Sequence, residues 1–244
     1  MKINKYIKGS SNKYKVIIDD ETYTLYDDVI IKYNLLMKNE IDEKTFNEMI
    51  NTNNELLGYY ESIRYITKKL RSELEIYEYL HKKEIPEDII KKNIKKLKEN
   101  GFINDEVFLK CYISDQLNLT NHGPLKIKKS LIKLGIDESL VNDAINNIDD
   151  DLIYNKINNY IDKKIRLNHN SSSYMLKVKI QNDLINLGYD KSLINDILNM
   201  KEINDDEVYK NEYEKIKNKL SKKYSGEELE YKIKAKMYAK GFRR

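Results

Sequence analysis

Gly123-Pro124-Leu125-Lys126-Ile127-Lys128-Lys129-Ser130-Leu131-Ile132-Lys133-Leu134-Gly135-Ile136 is the stretch on which the reading of this chain turns. A proline suits the first position of a helix, where no N–H is needed, and a glycine suits the position just past the end. Between them Ile127, Leu131 and Leu134 recur at helical spacing and make an inward face. Lys126, Lys129 and Lys133 stand at i, i+3 and i+7 and so share a different face. From Thr120 to Ile136 there are four lysines and no acid.

Working outward, Leu131 has counterparts in Leu80, Leu184 and Met237, at steps of 51, 53 and 53 residues. Five positions later come Ile85, Ile136, Tyr189 and Phe242. The residue just before is Gly135, Gly188 and Gly241 in three copies and Glu84 in the first. Further on, Ile89-Ile90-Ile94 matches Leu140-Val141-Ile145 and Leu193-Ile194-Leu198, and Ile103-Asn104-Asp105 is echoed by Ile203-Asn204-Asp205. Each copy reads as three helices: a long one, a second ending near the glycine, and a third. Ser72 with Glu75 is a capping box, Pro86 sits where a first helical residue is expected, and Asp137 and Asp190 are N-caps. Repeats of this length stack into a solenoid, because none buries a large face alone. The fourth copy stops at Arg244, just after its glycine, so three full units and a truncated fourth are expected, over 57–104, 105–149, 150–203 and 204–244.

Residues 1–56 read as a separate extension. Tyr14 to Ile18 and Thr22 to Tyr26 are β-prone and flank Asp19-Asp20-Glu21, which predicts a hairpin. Asp27-Asp28 can cap a helix carrying Val29, Ile30, Tyr33, Leu36 and Met37, and another starts near Asp42 with Phe46, Met49 and Ile50. The predicted fold is mainly α, with tandem three-helix repeats and a small N-terminal extension containing a β-hairpin.

Composition narrows the function. A formal net charge of +4 permits contact with nucleic acid without demanding it. Cys111 is the one cysteine, which excludes an internal disulfide framework and suits a reducing cytosol. Between Phe108 and Tyr112 it is expected to be a small buried hydrophobe. No apolar run approaches the length of a membrane span, and Met1 to Lys8 holds no signal-peptide core, so a soluble cytoplasmic protein is expected. His81, His122 and His169 stand far apart without ligand partners at metal spacing, and no glycine-rich phosphate loop is present. The expectation is a protein without catalytic residues, metal or cofactor.

The basic runs carry more. Lys91, Lys92, Lys95, Lys96 and Lys98 share a helix with Ile90, Ile94 and Leu97, and Lys232, Lys234, Lys236, Lys240, Arg243 and Arg244 cluster near the end. Taken through the repeat, Lys126 becomes Glu75, Lys179 and Lys232; Lys128 becomes Tyr77, Gln181 and Lys234; Lys129 becomes Glu78, Asn182 and Ala235. The apolar frame persists while the exposed face changes sign between copies. A merely solvated face has no need of that polarity. A charged binding groove along the second to fourth units is therefore expected, from Lys126, Lys128, Lys129 and Lys133 through Lys179 to Lys232, Lys234, Arg243 and Arg244.

These segments resemble the RecX family of recombination regulators. The likeness begins at Arg71-Ser72-Glu73-Leu74-Glu75 with Leu80 and continues through Leu97-Lys98-Glu99-Asn100-Gly101-Phe102-Ile103-Asn104-Asp105-Glu106 and Phe108. It is clearest at Gly123-Pro124-Leu125-Lys126-Ile127-Lys128 with Leu131 and Gly135-Ile136, and covers about Leu57 to Met200. Glu84 stands for the family's usual glycine, Asn104 for an aspartate and Ser130 for an acidic residue. Glu84 implies a non-glycine turn, at modest cost if its backbone stays out of the left-handed region. The resemblance implies a curved, elongated monomer of three-helix units that binds in the groove of the RecA filament on single-stranded DNA. It implies inhibition or modulation of ATP hydrolysis, strand exchange and filament growth. The alternative is direct binding to single- or double-stranded DNA, as by a helical transcription factor.

Overall fold

Alternating apolar residues near the N-terminus and helical periodicity after residue 42 divide the chain into a small sheet and a run of helices. A computed structural model describes residues 1–9 and 12–243. It falls into two compact units, Met1–Phe108 and Leu109–Arg244.

In the first unit, strands β1 (Ile3–Lys8), β2 (Lys13–Ile18) and β3 (Glu21–Tyr26) form an antiparallel meander. β2 and β3 are the expected hairpin. Asp19 and Asp20 take φ of 44° and 70°, as a two-residue turn matching the strand twist requires. β1 was not expected, because Asn4, Lys5 and Lys8 dilute its alternation. The helical pattern expected over 29–37 is interrupted: α1 (Asp27–Lys32) ends before Asn34, at φ 50°, and a 3₁₀ turn covers Leu35–Met37. The inner sheet face packs Ile3, Val16, Ile18 and Leu25 on Val29, Ile30, Leu35 and Met49. Met49 lies on α2 (Glu43–Ile66), which Asp42 caps. Asn53 of the same helix covers the outer edge of β3. It accepts from the Tyr26 N–H at 3.0 Å and donates to the Thr24 carbonyl at 3.1 Å, groups that would otherwise invite another strand.

α2 continues unbroken past Leu57 and packs with α3 (Glu73–Lys82) and α4 (Glu87–Glu99) around Ile76, Leu80, Ile85, Ile89, Ile90 and Leu97. The capping box of Ser72 and Glu75 is present, while Pro86 is the N-cap of α4, one place earlier than expected. Arg71 bonds Glu75 at 2.8 Å and lies 4.0 Å over the Tyr65 ring, a structural role at the start of α3.

α5 (Asp105–Leu119) leads into the second unit. There α6 (Pro124–Lys133) and α7 (Glu138–Asn146) are followed by α8 (Asp150–Arg166), α9 (Ser173–Leu187) and α10 (Lys191–Asn199). α11 (Asp206–Leu220) and α12 (Gly226–Ala239) complete the described residues. No helix among them is long and apolar enough to cross a membrane. Cys111 is exposed rather than buried. Phe108, Leu109 and Ile113 take the buried side of α5, and two residues from Leu109 and Ile113 a helix has turned to the opposite side.

The Leu…Gly-Ile repeat is a helix C-terminus made four times. The N–H groups of Ile85, Ile136, Tyr189 and Phe242 bond the carbonyls of Leu80, Leu131, Leu184 and Met237 at 3.1–3.2 Å. The residues before them bond the carbonyls of His81, Ile132, Ile185 and Tyr238 at 2.8–3.0 Å. This double closure requires a left-handed residue, usually glycine, and an apolar one after it. Gly135, Gly188 and Gly241 have φ of 83°, 89° and 83°. Glu84, at 59°, takes the same conformation; the expectation that its backbone avoids this region is wrong, because the hydrogen bonds of the turn dictate it.

The same glycines join successive units. Gly123, the N-cap of α6, donates to the Leu187 carbonyl at 2.7 Å, and the Leu125 N–H donates to the Gly188 carbonyl at 3.0 Å. A Cβ at Gly123 would come 2.6 Å from the Gly188 oxygen, and one at Gly188 would come 2.5 Å from the Lys126 nitrogen. One joint later, the Ser172 hydroxyl donates to the Lys240 carbonyl at 2.9 Å, and a Cβ at Gly241 would meet Ser172 Oγ at 2.7 Å. Ser172 and Ser225 stand twelve residues before Leu184 and Met237, where Ser72 and Gly123 stand eight before Leu80 and Leu131. α9 and α12 thus carry an additional first turn.

The Ile-Asn-Asp echo is also structural. Asp105 accepts from the Glu73 N–H at 3.2 Å and Asp205 from the Ser173 N–H at 2.5 Å, each capping the second helix of the preceding unit. In the middle copy Pro124 has no N–H to cap, and the corresponding Asp150 is exposed.

Two substitutions test the joint in opposite directions. Glu84→Gly removes a left-handed cost of roughly 1–2 kcal/mol against a glycine entropy cost of about 0.5–1. It should raise the urea midpoint, worth up to about 1 kcal/mol. Gly188→Ala adds both the left-handed cost and a backbone clash, so it should lower stability by roughly 2–4 kcal/mol in the same measurement.

Candidate partner-binding face

Lysines on a helix can either be neutralised by neighbouring acids or keep their field directed outward, and sequence does not separate the two. The structure does. On α4, Lys91 pairs with Glu87 at 2.7 Å, Lys92 with Glu55 at 2.7 Å and Lys95 with Glu99 at 4.0 Å. Lys98 pairs with Glu73, and Lys96 lies 4.6 Å over the Tyr59 ring. That run is internally compensated.

α6 is different. Lys128 is half-buried and pairs with Glu138 of α7 at 3.6 Å. Lys129 and Lys133 are exposed, and neither holds an ion pair within 4.0 Å among the described residues. Lys126 is half-buried because its backbone packs against Gly188, while its charge helps burial hold the His122 imidazole below its usual range. The first turn of α6 contains no acid, unlike that of α3, which has Glu73 and Glu75.

The other expected residues are distributed along the same unit. Lys179 is exposed on α9 and its charge lowers the pKa of Asp183 after stronger contributions from Lys164 and Tyr160. Lys232 is half-buried, 5.5 Å over the Tyr224 ring. Lys234 is exposed and lines the groove of α11 and α12. Arg243 lies 3.7 Å over the Tyr174 ring of α9, in a polar cleft beside Lys177 and Lys201. Arg244 lies outside the described residues. The α6 lysines form one row on a single helix, whereas Lys232, Lys234 and Arg243 are each engaged with or directed at different features.

One basic feature was not anticipated. Lys156 of α8 donates to the carbonyls of Leu117 and Thr120 at 2.5 and 3.0 Å, closing the end of α5, and burial lowers its pKa. With Asn121, Asn159, Tyr160, Lys163 and Lys164 it lines a cleft beside the segment entering α6. Its sequence signal is a single lysine between Ile153 and Ile157, too little to notice. Among the described residues no group of three His, Cys, Asp or Glu side chains could hold a metal ion.

A row of tandem three-helix units held by glycine joints, with an uncompensated lysine row and no cluster of catalytic character, defines a helical-repeat binding protein. Residues 59–102 match the family model described as RecX, first three-helix domain. A protein named regulatory protein RecX from Bacillus cytotoxicus is 29% identical over 99% of this chain and 88% of its own length. One from Oceanobacillus iheyensis, with the same name, is 25% identical over 96% and 90%. The crystal structure of RecX from Lactobacillus salivarius is 29% identical, with a TM-score of 0.55 over 61% of this chain and 96% of that one. A second crystal structure, of a regulatory protein RecX, shares the fold at a TM-score of 0.62 over 80% of this chain and 98% of its own. The chain belongs to the RecX family of regulatory proteins.

Replacing Lys156 with Ala removes the ammonium that closes α5 and strands two carbonyls. Stability measured by urea unfolding should fall by about 1–3 kcal/mol, the cost of unsatisfied buried acceptors.

Proposed function

We propose that this chain is a cytoplasmic, non-enzymatic modulator of RecA that docks on the filament assembled on single-stranded DNA and slows its ATP hydrolysis, strand exchange and growth. The observation that carries the reading is the contrast between α4, whose lysines are paired within the molecule, and α6, where Lys129 and Lys133 are not. Row and partner would meet through charge: acidic filament surface or DNA phosphate opposite Lys129 and Lys133, with Lys126, Lys128 and Lys179 flanking. Lys232, Lys234, Arg243 and Arg244 extend the positive field toward the C-terminal end. Repeats over 57–104, 105–149, 150–203 and 204–244 would let one chain touch neighbouring RecA subunits and oppose the rotations that hydrolysis needs. A ligand shifts such an equilibrium only through unequal affinity for its states, so the bridged arrangement must be the one bound more tightly. Charge would chiefly set on-rate and orientation.

The test is RecA ATPase on single-stranded DNA, titrated with the wild-type chain, with Lys129/Lys133→Glu and with Lys91/Lys95→Gln. Inhibition by wild type and by the α4 variant, but at least about tenfold weaker inhibition by the α6 variant, is the expected outcome; tenfold corresponds to about 1.4 kcal/mol. Equal inhibition by all three would move the contact surface off α6. No effect of any chain on a verified filament would remove RecA as the partner. Salt-dependent binding to bare single strands, with a slope of about −0.7 per phosphate neutralised, would then favour the direct DNA reading.

A further inference from the structure

In every complete unit the third helix lies against the same point of the second. That point is the residue three places before the register leucine. Lys128 there bonds Glu138 of α7 at 3.6 Å, and Gln181 bonds Asn195 of α10 at 2.6 Å. Tyr77, Lys128 and Gln181 are all half-buried. In the fourth copy the same position is Lys234, and it is exposed. The described residues of that copy contain two helices, α11 and α12, and no third.

The space beside Lys234 is a groove with aromatic walls, formed by Tyr209, Tyr213, Tyr231, Met237 and Tyr238. Tyr231 and Tyr238 are 71% and 68% exposed. Phe242, which occupies the place of Ile136 and Tyr189, closes the floor with its ring 5.4 Å from that of Tyr209. Tyrosine and methionine supply large, adaptable contact area at protein interfaces.

We propose that this groove receives an amphipathic helix from another protein, in the position that α4, α7 and α10 take in the other units. The molecule itself specifies the chemistry of the occupant. Its own third helices carry apolar residues at Ile89-Ile90-Ile94, Leu140-Val141-Ile145 and Leu193-Ile194-Leu198. In two of them a carboxylate, Glu87 or Glu138, stands two places before the first of these. Lys234 occupies the site that Lys128 presents to Glu138, so the partner helix carries an acidic residue in its first turn and leucine or isoleucine after it. A second copy of this chain is a poor donor. Its third helices already bury Ile89, Ile90, Val141, Ile194 and Leu198 in their own units. This binding site stands apart from the RecA reading and needs no filament.

The probe is a fluorescein-labelled synthetic peptide of residues 136–148, containing α7, titrated against the full chain by anisotropy. A peptide of this length is barely helical alone, so weak but saturable binding is expected, reaching plateau by about 1 mM. Lys234→Glu should weaken it at least about tenfold, and a peptide bearing Glu138→Lys should recover the loss on that variant only. Lys129/Lys133→Glu should bind the peptide as wild type does. Absence of saturable binding would overturn the proposal, as would equal affinity for Lys234→Glu. Loss of binding by Lys129/Lys133→Glu would mean adhesion to the α6 face instead. Self-association in sedimentation that Tyr238→Ala abolishes would identify a second copy as the occupant and overturn the proposed one.

Discussion

The left-handed residue that ends each second helix is the constraint on which the repeat depends. A helix leaves its last four carbonyls unbonded, and a chain that must turn at once into a third helix has few ways to satisfy them. The double bond from the two residues after the helix satisfies two carbonyls and sends the following apolar side chain into the core. Ile85, Ile136, Tyr189 and Phe242 are all buried for that reason. Lacking a Cβ, Gly188 and Gly241 also leave room for the backbone that begins the second helix of the preceding unit. That helix brings unbonded N–H groups to the carbonyls its neighbour still holds free. The Gly-Pro pair at 123–124 and the glycine at 188 are therefore two halves of one contact. The proline is tolerated because its N–H would have had no bond to make, and Gly123 is needed because a side chain would strike the Gly188 carbonyl.

Much of this was readable in the sequence, because backbone requirements leave marks on residue type. A left-handed turn asks for glycine, a buried turn residue asks for an apolar side chain, and both recur at the same offset from Leu80, Leu131, Leu184 and Met237. What was not readable lacks such marks. The additional first turn of α9 and α12 changes no residue class at the register position. β1 mixes polar residues through its alternation and is held as much by β2 as by its own pattern. Glu84 shows that the turn geometry outranks residue preference: the hydrogen bonds fix the backbone, and the side chain bears the strain. Cys111 was misplaced because two neighbouring aromatic residues suggested burial, whereas Leu109 and Ile113 determine which side of α5 faces inward.

For the candidate face, the sequence supplied the charges but not their partners. Runs of five lysines on α4 and four around α6 look alike when read along the chain. Their difference arises from acids distant in sequence. Glu55 and Glu73 reach α4 because α2 and α3 pack on it, whereas the acid α7 offers to α6 is used by Lys128 alone. Lys156 was passed over for the converse reason. Its role depends on the end of α5, thirty-nine residues away at Leu117, which no local pattern announces.

The placement of lysines on α6 also runs against the helix that carries them. The N-terminal turn of a helix holds positive partial charge, so a carboxylate there is favourable by roughly 0.3–1 kcal/mol and a lysine is not. α3 and α12 follow the rule with Glu73 and Glu75 and with Glu227 and Glu228, while α6 opens with none and sets Lys126 in its first turn. Departures of this kind, with no compensating contact, concentrate where a surface is kept for binding rather than for stability. Here dipole and side chains add. The N-terminus of α6 and the row from Lys126 to Lys133 project positive potential from one helix, whose direction is held by the joint at Gly188. A rigidly aimed field of that kind can orient an anionic partner before contact, and it costs no ordering of the helix when the partner arrives.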